Sequence, residues 1–437
     1  MPDSEINARS VAAATGAWLG LLFGANAMIS ATNSNFMKPL TLAFGVDRTA
    51  ISAALSVAPL VVALAVPMAG WAMDRFGLRR IVIPGALLFG LMILALSRVT
   101  SVWQFALLQI PIGIASSLHS SVGYAKVVSL WFDRWRGLVL GLLVALGAGV
   151  GQTTMPMLSQ WLIQHLGWRN AYVTIGLMIL CLGLPAIALL VREPRRSPAA
   201  PVIQGAIRGV PAVAAAEPGA PLPGVSVGAA LRTPTFWLIA VGILFGSMTL
   251  LGTLQHGVPM MTEHGFPIGV ATRAMSIAFA GVVSGQLASG TLVNQINTSK
   301  IIVPFFVAAL IGLLIVHSVH VSSGAALLYT GALLMGLGLG GEVAQNAYLV
   351  SRYFGLRAFG GIYGLTFAAS NIGIAVGTLA LGKAHDIAQS YAPMRPIFGL
   401  CMATSVICIA SLGPYVYARR PPKVAMPAAK ASAAPRR

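Results

Sequence analysis

The amino-acid sequence predicts an all-α integral membrane protein with twelve transmembrane helices in two pseudo-symmetric six-helix bundles, and three observations carry that expectation. Of the 437 residues, 57% are hydrophobic and only 9% charged, with a mean hydropathy of +0.82, whereas a soluble domain carries about 25% charged residues. The apolar residues come in blocks of about 20, the length a helix needs to cross a hydrocarbon core of about 30 Å. Membrane strands would instead alternate apolar and polar positions. Finally, the second half repeats landmarks of the first in the same order.

The expected spans are residues 15–36, 50–73, 81–96, 102–125, 138–162 and 171–191, then 236–261, 271–293, 301–319, 325–353, 360–381 and 396–416. They group into an N-terminal tail at 1–13, a bundle at 14–192, a linker at 193–235 rich in Pro, Ala, Gly and Arg, a second bundle at 236–418 and a basic tail at 419–437. The first span turns polar at Asn26, Ser30, Thr32, Asn33, Ser34 and Asn35. That pattern fits either a cavity wall or hydrogen bonds between helices. The fifth is dense in glycine, at Gly137, Gly141, Gly147, Gly149 and Gly151, which lets helix backbones approach closely.

Charge placement sets the orientation. Most of the 28 lysines and arginines fall in alternate links and in the tail, among them Arg75, Arg79, Arg80, Arg134, Arg192, Arg195 and Arg196. The opposite links keep few, such as Lys38, Arg48 and Arg98. By the positive-inside bias both termini are cytoplasmic and the chain lies in the cell inner membrane. Cations spread this way face lipid, and no nucleic acid is expected as a partner. Cys181, Cys401 and Cys408 all sit in apolar blocks, so neither a disulfide framework nor a metal site is indicated, and no cofactor is expected. Asp3 and Glu5 in place of a basic start read as an uncleaved first helix rather than a signal peptide.

The stretch 70–80 closes the second span with Gly70, Asp74, Arg75, Gly77, Arg79 and Arg80 in the pattern Gly-x-x-x-Asp-Arg-x-Gly-x-Arg-Arg. Its counterpart at 290–300 keeps Gly290 and Lys300 but has Asn294 and Gln295 for the Asp-Arg pair. Similarly, Val128-Ser129-Leu130-Trp131-Phe132 mirrors Val350-Ser351-Arg352-Tyr353-Phe354, and each precedes an Arg-x-x-Gly-x-x-x-Gly run, at Arg134 and Arg357. Two related halves joined by a linker are the plan of a transporter with its site between the halves. The 70–80 pattern resembles the signature loop of the major facilitator superfamily, and this implies that Asp74 joins an inner-gate network near residues 357–361.

Within that superfamily the chain is similar to the monocarboxylate and oxalate:formate branch through residues 36–54, Trp131-Phe132 with Arg134, His256-Gly257-Val258-Pro259 and Tyr363-Gly364. The branch implies a mono- or dicarboxylate as solute. Two of its cations are replaced here: Ser284-Gly285-Gln286 stands where an arginine is common, and Ser370 or Asn371 where oxalate-type members carry a lysine.

Glu342 is the clearest carboxylate inside an expected span. Buried there, it either pairs with a cation (Arg352, His119 or Lys126) or carries a proton. His256, just before Pro259, suits proton handling at a kink, and His119 is a further histidine candidate. Asn33, Gln152, Gln286, Gln345, Asn346 and Asn371 are candidate cavity-lining groups. Arg352 and Lys126 are expected to snorkel to the headgroups. A membrane enzyme would need clustered acids or histidines, and the 10 acids are scattered mostly in loops. The expected partners are a small-molecule solute, most simply an organic anion, the bilayer and a co-transported proton, and the chain is expected to act as a monomer. Proton-coupled efflux of drugs or other metabolites and a non-transporting sensor stand as alternatives.

Overall fold

The computed structural model describes residues 7–120, 123–124, 127–128, 131–132, 139, 147–191, 224–295, 298–355 and 357–417. Lys126, Arg134, Gly137, Gly141, linker residues 193–223 and the basic tail lie outside them.

The first span is longer than expected and interrupted. Helix α1 (Ala8–Leu22) starts inside the expected tail because Asn7 and Ser10 form a capping box, in which Asn7 Oδ1 accepts from Ser10 N at 2.9 Å and Ser10 Oγ from Asn7 N at 3.0 Å. The chain then makes a π-helical turn at Asn26–Ser30 and resumes as α2 (Asn33–Phe44), which Gly45 ends at φ 61°. The polar run lies where the helical register is reset. There Thr32 Oγ1 donates back to the carbonyl oxygens of Met28 and Ile29 at 3.0 and 3.1 Å.

Helices α3 (Arg48–Phe76) and α4 (Leu78–Leu96) meet at Gly77, whose φ of 89° a side chain would strain. Then come α5 (Val102–Leu118), capped by Ser101, and α6 (Gly149–Met178), which breaks at Gly167 (φ 78°, ψ 161°) where the fifth span passes into the sixth. A π turn at Ile179–Gly183 leads into α7 (Leu184–Leu190). The end of the linker is ordered: Val225 N donates to Phe354 O at 3.0 Å, ahead of the short α8 (Val227–Leu231). The second half comprises α9 (Pro234–Glu263), α10 (Ile268–Gln295), α11 (Val303–Ser318), α12 (Ala325–Phe354), α13 (Phe359–Ala388) and α14 (Met394–Ala410).

Among the described residues nine helices are long and apolar enough to cross a membrane, and two shorter helices, α5 and α14, are also apolar. The chain is a multi-pass, all-α membrane protein. Its buried apolar residues segregate by half: one cluster runs from Ala230 to Leu412 with Ala31 as its one contributor from the first half, and two others lie within residues 13–191. The halves meet where α3 packs on α13, α6 on α10 and α2 on α9. Glycines make the tightest approaches. A Cβ on Gly336 or Gly340 of α12 would collide with the carbonyl oxygens of Ala278 or Val282 on α10. In the fifth span, Gly149 sits against Val283 of α10 and Gly151 against Ala27, so these two glycines serve packing.

Candidate functional site

Two polar clusters stand out, one inside the second half and one between the halves. In the first, α12 carries Glu342, only 4% exposed, into contact with α9 and α13. Ser247 Oγ donates to Glu342 Oε1 at 2.5 Å and lies 2.7 Å from Ser370 Oγ. Glu342 Oε2 has no hydrogen-bond partner, and no ion pair among the described residues includes Glu342. Small neighbours make room for the carboxyl, since a Cβ on Gly246 would collide with Oε2.

Of the cation partners considered from sequence, Arg352 and His119 are engaged elsewhere, and Lys126 lies outside the described residues. Arg352 does not snorkel: it is 5% exposed, donates Nη1 to Tyr417 O at 3.0 Å and stacks over the Tyr348 ring at 4.9 Å. The last described residues fold back onto α12 and cover it, which no local pattern announces. His119 ends α5 and pairs through Nδ1 with Tyr124 Oη at 2.5 Å, inside the first half. One turn beyond Glu342, Asn346 Oδ1 accepts from Thr366 Oγ1 at 2.8 Å and Gln345 Nε2 donates to Ser289 O at 3.1 Å. Asn371 is spent on its own helix, donating to Phe367 O at 2.9 Å. Asn33 is buried and Gln152 and Gln286 are half-buried, and the side chain of none of the three hydrogen-bonds among the described residues. Of the polar run in the first span, Asn35 is tied down, donating to Pro156 O at 2.7 Å and Ser159 Oγ at 2.8 Å.

The second cluster holds α3 of the first half to α9 and α13 of the second. Asp47 gives α3 no side-chain cap. Asp386 of α13 does so from across the interface: its Oδ1 accepts from Arg48 N at 3.1 Å and its Oδ2 from Thr49 N at 2.6 Å and Thr49 Oγ1 at 2.5 Å. The Arg48 guanidinium meets Glu263 Oε1 at 2.5 Å and donates to Tyr391 Oη at 2.7 Å. His385 Nε2 reaches the same Glu263 oxygen at 2.8 Å.

His256 is fully buried behind this group. Its Nε2 lies 3.0 Å from Thr378 O and 3.1 Å from Ser52 Oγ, and its Nδ1 lies 2.9 Å from Tyr391 Oη. A carbonyl oxygen only accepts, so Nε2 carries the hydrogen and Tyr391, itself accepting from Arg48, donates to Nδ1. His256 lies three residues before Pro259 of α9, and its contact with Ser52 reaches across to the first half. A Cβ on Gly382 would strike Ser52, so α3 and α13 touch here nearly backbone to backbone. Arg48, Glu263, Asp386 and Tyr391 escaped sequence reading because charges at span ends are ordinary there, and the pairing joins positions far apart in the chain.

In the 70–80 loop, Arg75 lies over the Trp71 and Phe76 rings at 5.3 and 5.7 Å, and Arg79 Nη2 donates to Ala188 O at 2.5 Å, capping the end of α7. Arg80 is exposed, and nothing lies within 4 Å of a Cβ built on Gly70. The side chain of Asp74 lies outside the described residues.

The family model for the Major Facilitator Superfamily matches residues 19–378. The chain is 25% identical over 387 residues, 86% of its length and 90% of the relative's, to the uncharacterized MFS-type transporter YcxA of Bacillus subtilis. It is 26% identical over 373 residues (78% and 80%) to a gallate transporter of Pseudomonas putida. A shorter match, 33% over 137 residues, covers 30% of this chain and 28% of a fujikurins efflux protein of Gibberella fujikuroi. Among solved structures, a bacterial homolog of the human lysosomal transporter Spinster, in an inward-facing and unoccupied conformation, shares the fold with a TM-score of 0.60 at 15% identity, covering 94% of this chain and 95% of that one.

Proposed function

The chain belongs to the Major Facilitator Superfamily, and from that premise we propose that it is a proton-coupled secondary transporter exporting drug-like or other organic metabolites by alternating access. It is a carrier and not an enzyme. The proposed working unit has twelve crossings in two six-helix bundles, a count supported by the break at Gly167 in one of the nine candidate spans and by the two shorter apolar helices among the described residues. The charge distribution favours the cell inner membrane with both termini cytoplasmic, and the unit is a monomer.

The observation that carries the reading is Glu342. It is a buried carboxyl with hydroxyls beside it and, among the described residues, one unpartnered oxygen and no ion-pairing cation. Such a group can take up and release a proton, and it would repel a carboxylate brought to it as solute. The two cations of the monocarboxylate branch are replaced at Gln286 and at Ser370 or Asn371, and Ser370 Oγ lies 2.7 Å from Ser247 Oγ beside Glu342. An efflux protein among the relatives agrees with export. The gallate transporter keeps a second reading in play, in which a mono- or dicarboxylate is the solute.

The test is transport in proteoliposomes with an imposed pH gradient. Gradient-driven accumulation of aromatic or cationic solutes should fall at least tenfold in Glu342→Gln, about the effect of losing a single 1.4 kcal/mol coupling, while solute counterflow without a gradient persists. Equal gradient dependence in both proteins removes Glu342 from the coupling. Counterflow confined to carboxylates establishes the second reading, and no exchange of any solute points to a sensor.

A further inference from the structure

We propose that His385 is a second proton-binding site, set at the Arg48 end of the interface, which takes up a proton when Arg48 leaves Glu263 and releases it when Arg48 returns. Two partners are shared there. Glu263 Oε1 meets Arg48 Nη1 at 2.5 Å and His385 Nε2 at 2.8 Å. The Tyr391 ring centroid lies 5.3 Å from the Arg48 guanidinium and 5.0 Å from the His385 ring. A charged His385 would therefore sit beside a permanent cation, on one oxygen and one ring, with its side chain only 11% exposed to the water that screens such repulsion. Arg48 belongs to the first half, whereas Glu263, His385, Asp386 and Tyr391 belong to the second. When the halves part, the histidine keeps both carboxylates and loses the competing cation.

The hydrogens describe the same exchange. A neutral imidazole carries one N–H, and the 2.8 Å contact with Glu263 places it on Nε2. Nδ1 is then bare: it makes no hydrogen bond and lies 3.5 Å from Asp386 Oδ1. That oxygen accepts instead from Arg48 N, and Oδ2 accepts from Thr49 N and Thr49 Oγ1. Parting carries all three donors away with α3, and a solvent proton bound at Nδ1 supplies a donor in their place. Charge is kept as well, since one cation faces Glu263 and Asp386 in each state, Arg48 in the first and the imidazolium in the second. The Glu263 and Asp386 side chains are 29% and 20% exposed, so solvent reaches the group as it opens. Of the other titratable groups there, His256 is neutral, with its nitrogens on Thr378 O and Tyr391 Oη, and Tyr391 accepts from Arg48. His264 follows Glu263 and faces the His320 ring at 4.8 Å. On the proposed orientation this end faces outside, where a proton-driven exporter loads its proton, and that use rests on the proton-coupled reading.

The experiment follows the distance between spin labels at Val46 and Ser390 in the full-length protein in nanodiscs, from about pH 8 to about pH 5.5, the range in which imidazole changes charge. In wild type the ratio of parted to closed halves should rise about tenfold as pH falls, the effect of a 1.4 kcal/mol repulsion, with the slope of a single proton. His385→Gln, which cannot charge, should hold the ratio at its alkaline value throughout. His385→Lys, which stays charged, should be parted across the range. The two variants move in opposite directions, so misfolding of either leaves the other to decide. A flat or inverted wild-type response, or a closed His385→Lys, overturns the proposal. So does a response that His385→Gln retains, which assigns it to Glu263 or Asp386, or one that His264→Gln removes. Repeating the series in Glu342→Gln separates the two proton groups. A response that persists there supports the site at His385. One that vanishes belongs to Glu342, which overturns this inference and leaves the coupling role of Glu342 standing.

Discussion

Asp386 supplies to α3 the cap that Asp47 leaves unmade, and its removal is therefore felt on both sides of the interface. Losing an N-cap costs about 1–2 kcal/mol, so Asp386→Ala should raise the population with α3 parted from α13 by about 5- to 30-fold. Spin labels at Val46 and Ser390 would report this as a longer distance component, and an unchanged distribution would show that the cap does not hold the interface. His264, beyond the end of α9, has its pKa lowered first by burial and then by the neighbouring His320, with ring centroids 4.8 Å apart. A histidine depressed in the folded state leaves the unfolded chain binding more protons as pH falls through the ordinary value of about 6.5. Stability should then be full above that value and decline below it. Melting followed from pH 8 to pH 5 should show a larger loss for wild type than for His264→Gln, and parallel curves would count against it. Glu342 and His256 were legible in the sequence because ionisable groups in mid-span are rare. Their surroundings were not, since Ser247, Tyr391 and Asp386 carry no anomaly of their own until the chain folds.

At the scale of elements, the 70–80 loop separates a glycine needed for geometry from one that is not. Gly77 holds φ 89° between α3 and α4, whereas a Cβ on Gly70 meets nothing within 4 Å among the described residues. Gly77→Ala should cost about 1–3 kcal/mol of stability, and Gly70→Ala should leave the melting temperature unchanged. A comparable loss from both would contradict the structure. Gly340 of α12 is a stricter case, because its neighbour is the carbonyl oxygen of Val282 and not a movable side chain. Gly340→Leu should therefore lower the yield of folded protein by overpacking, which costs about 1–3 kcal/mol, and detergent size-exclusion profiles would report it. The spans themselves were readable because an apolar block of about 20 residues has one common use. The start of α1 was not, because a capping box is made of the same polar residues as a tail. The π turns at Asn26–Ser30 and Ile179–Gly183 leave no mark in composition, since they change hydrogen-bond register and not residue type.

For the whole molecule, the Arg48 cluster fixes which end of the bundle is held together. Glu263, His385, Asp386 and Tyr391 of one half converge on the first turn of α3 in the other. Under the proposed alternating access, this latch would open as contacts at the opposite end close. The internal repeat predicts that the opposite end has one charged latch and not two, because Asp74 is matched by Asn294 and Arg75 by Gln295. Asp74→Asn should slow solute cycling at preserved expression, and Asn294→Ala should matter far less. Two such latches would oppose each other energetically: if Asp386→Ala destabilises closure at the Arg48 end and Asp74→Asn closure at the other, the double variant should return the Val46–Ser390 distance distribution toward that of wild type. A double variant whose distance distribution equals that of Asp386→Ala alone would mean that Asp74 does not act on the same equilibrium, and the reading of two opposed latches would fail.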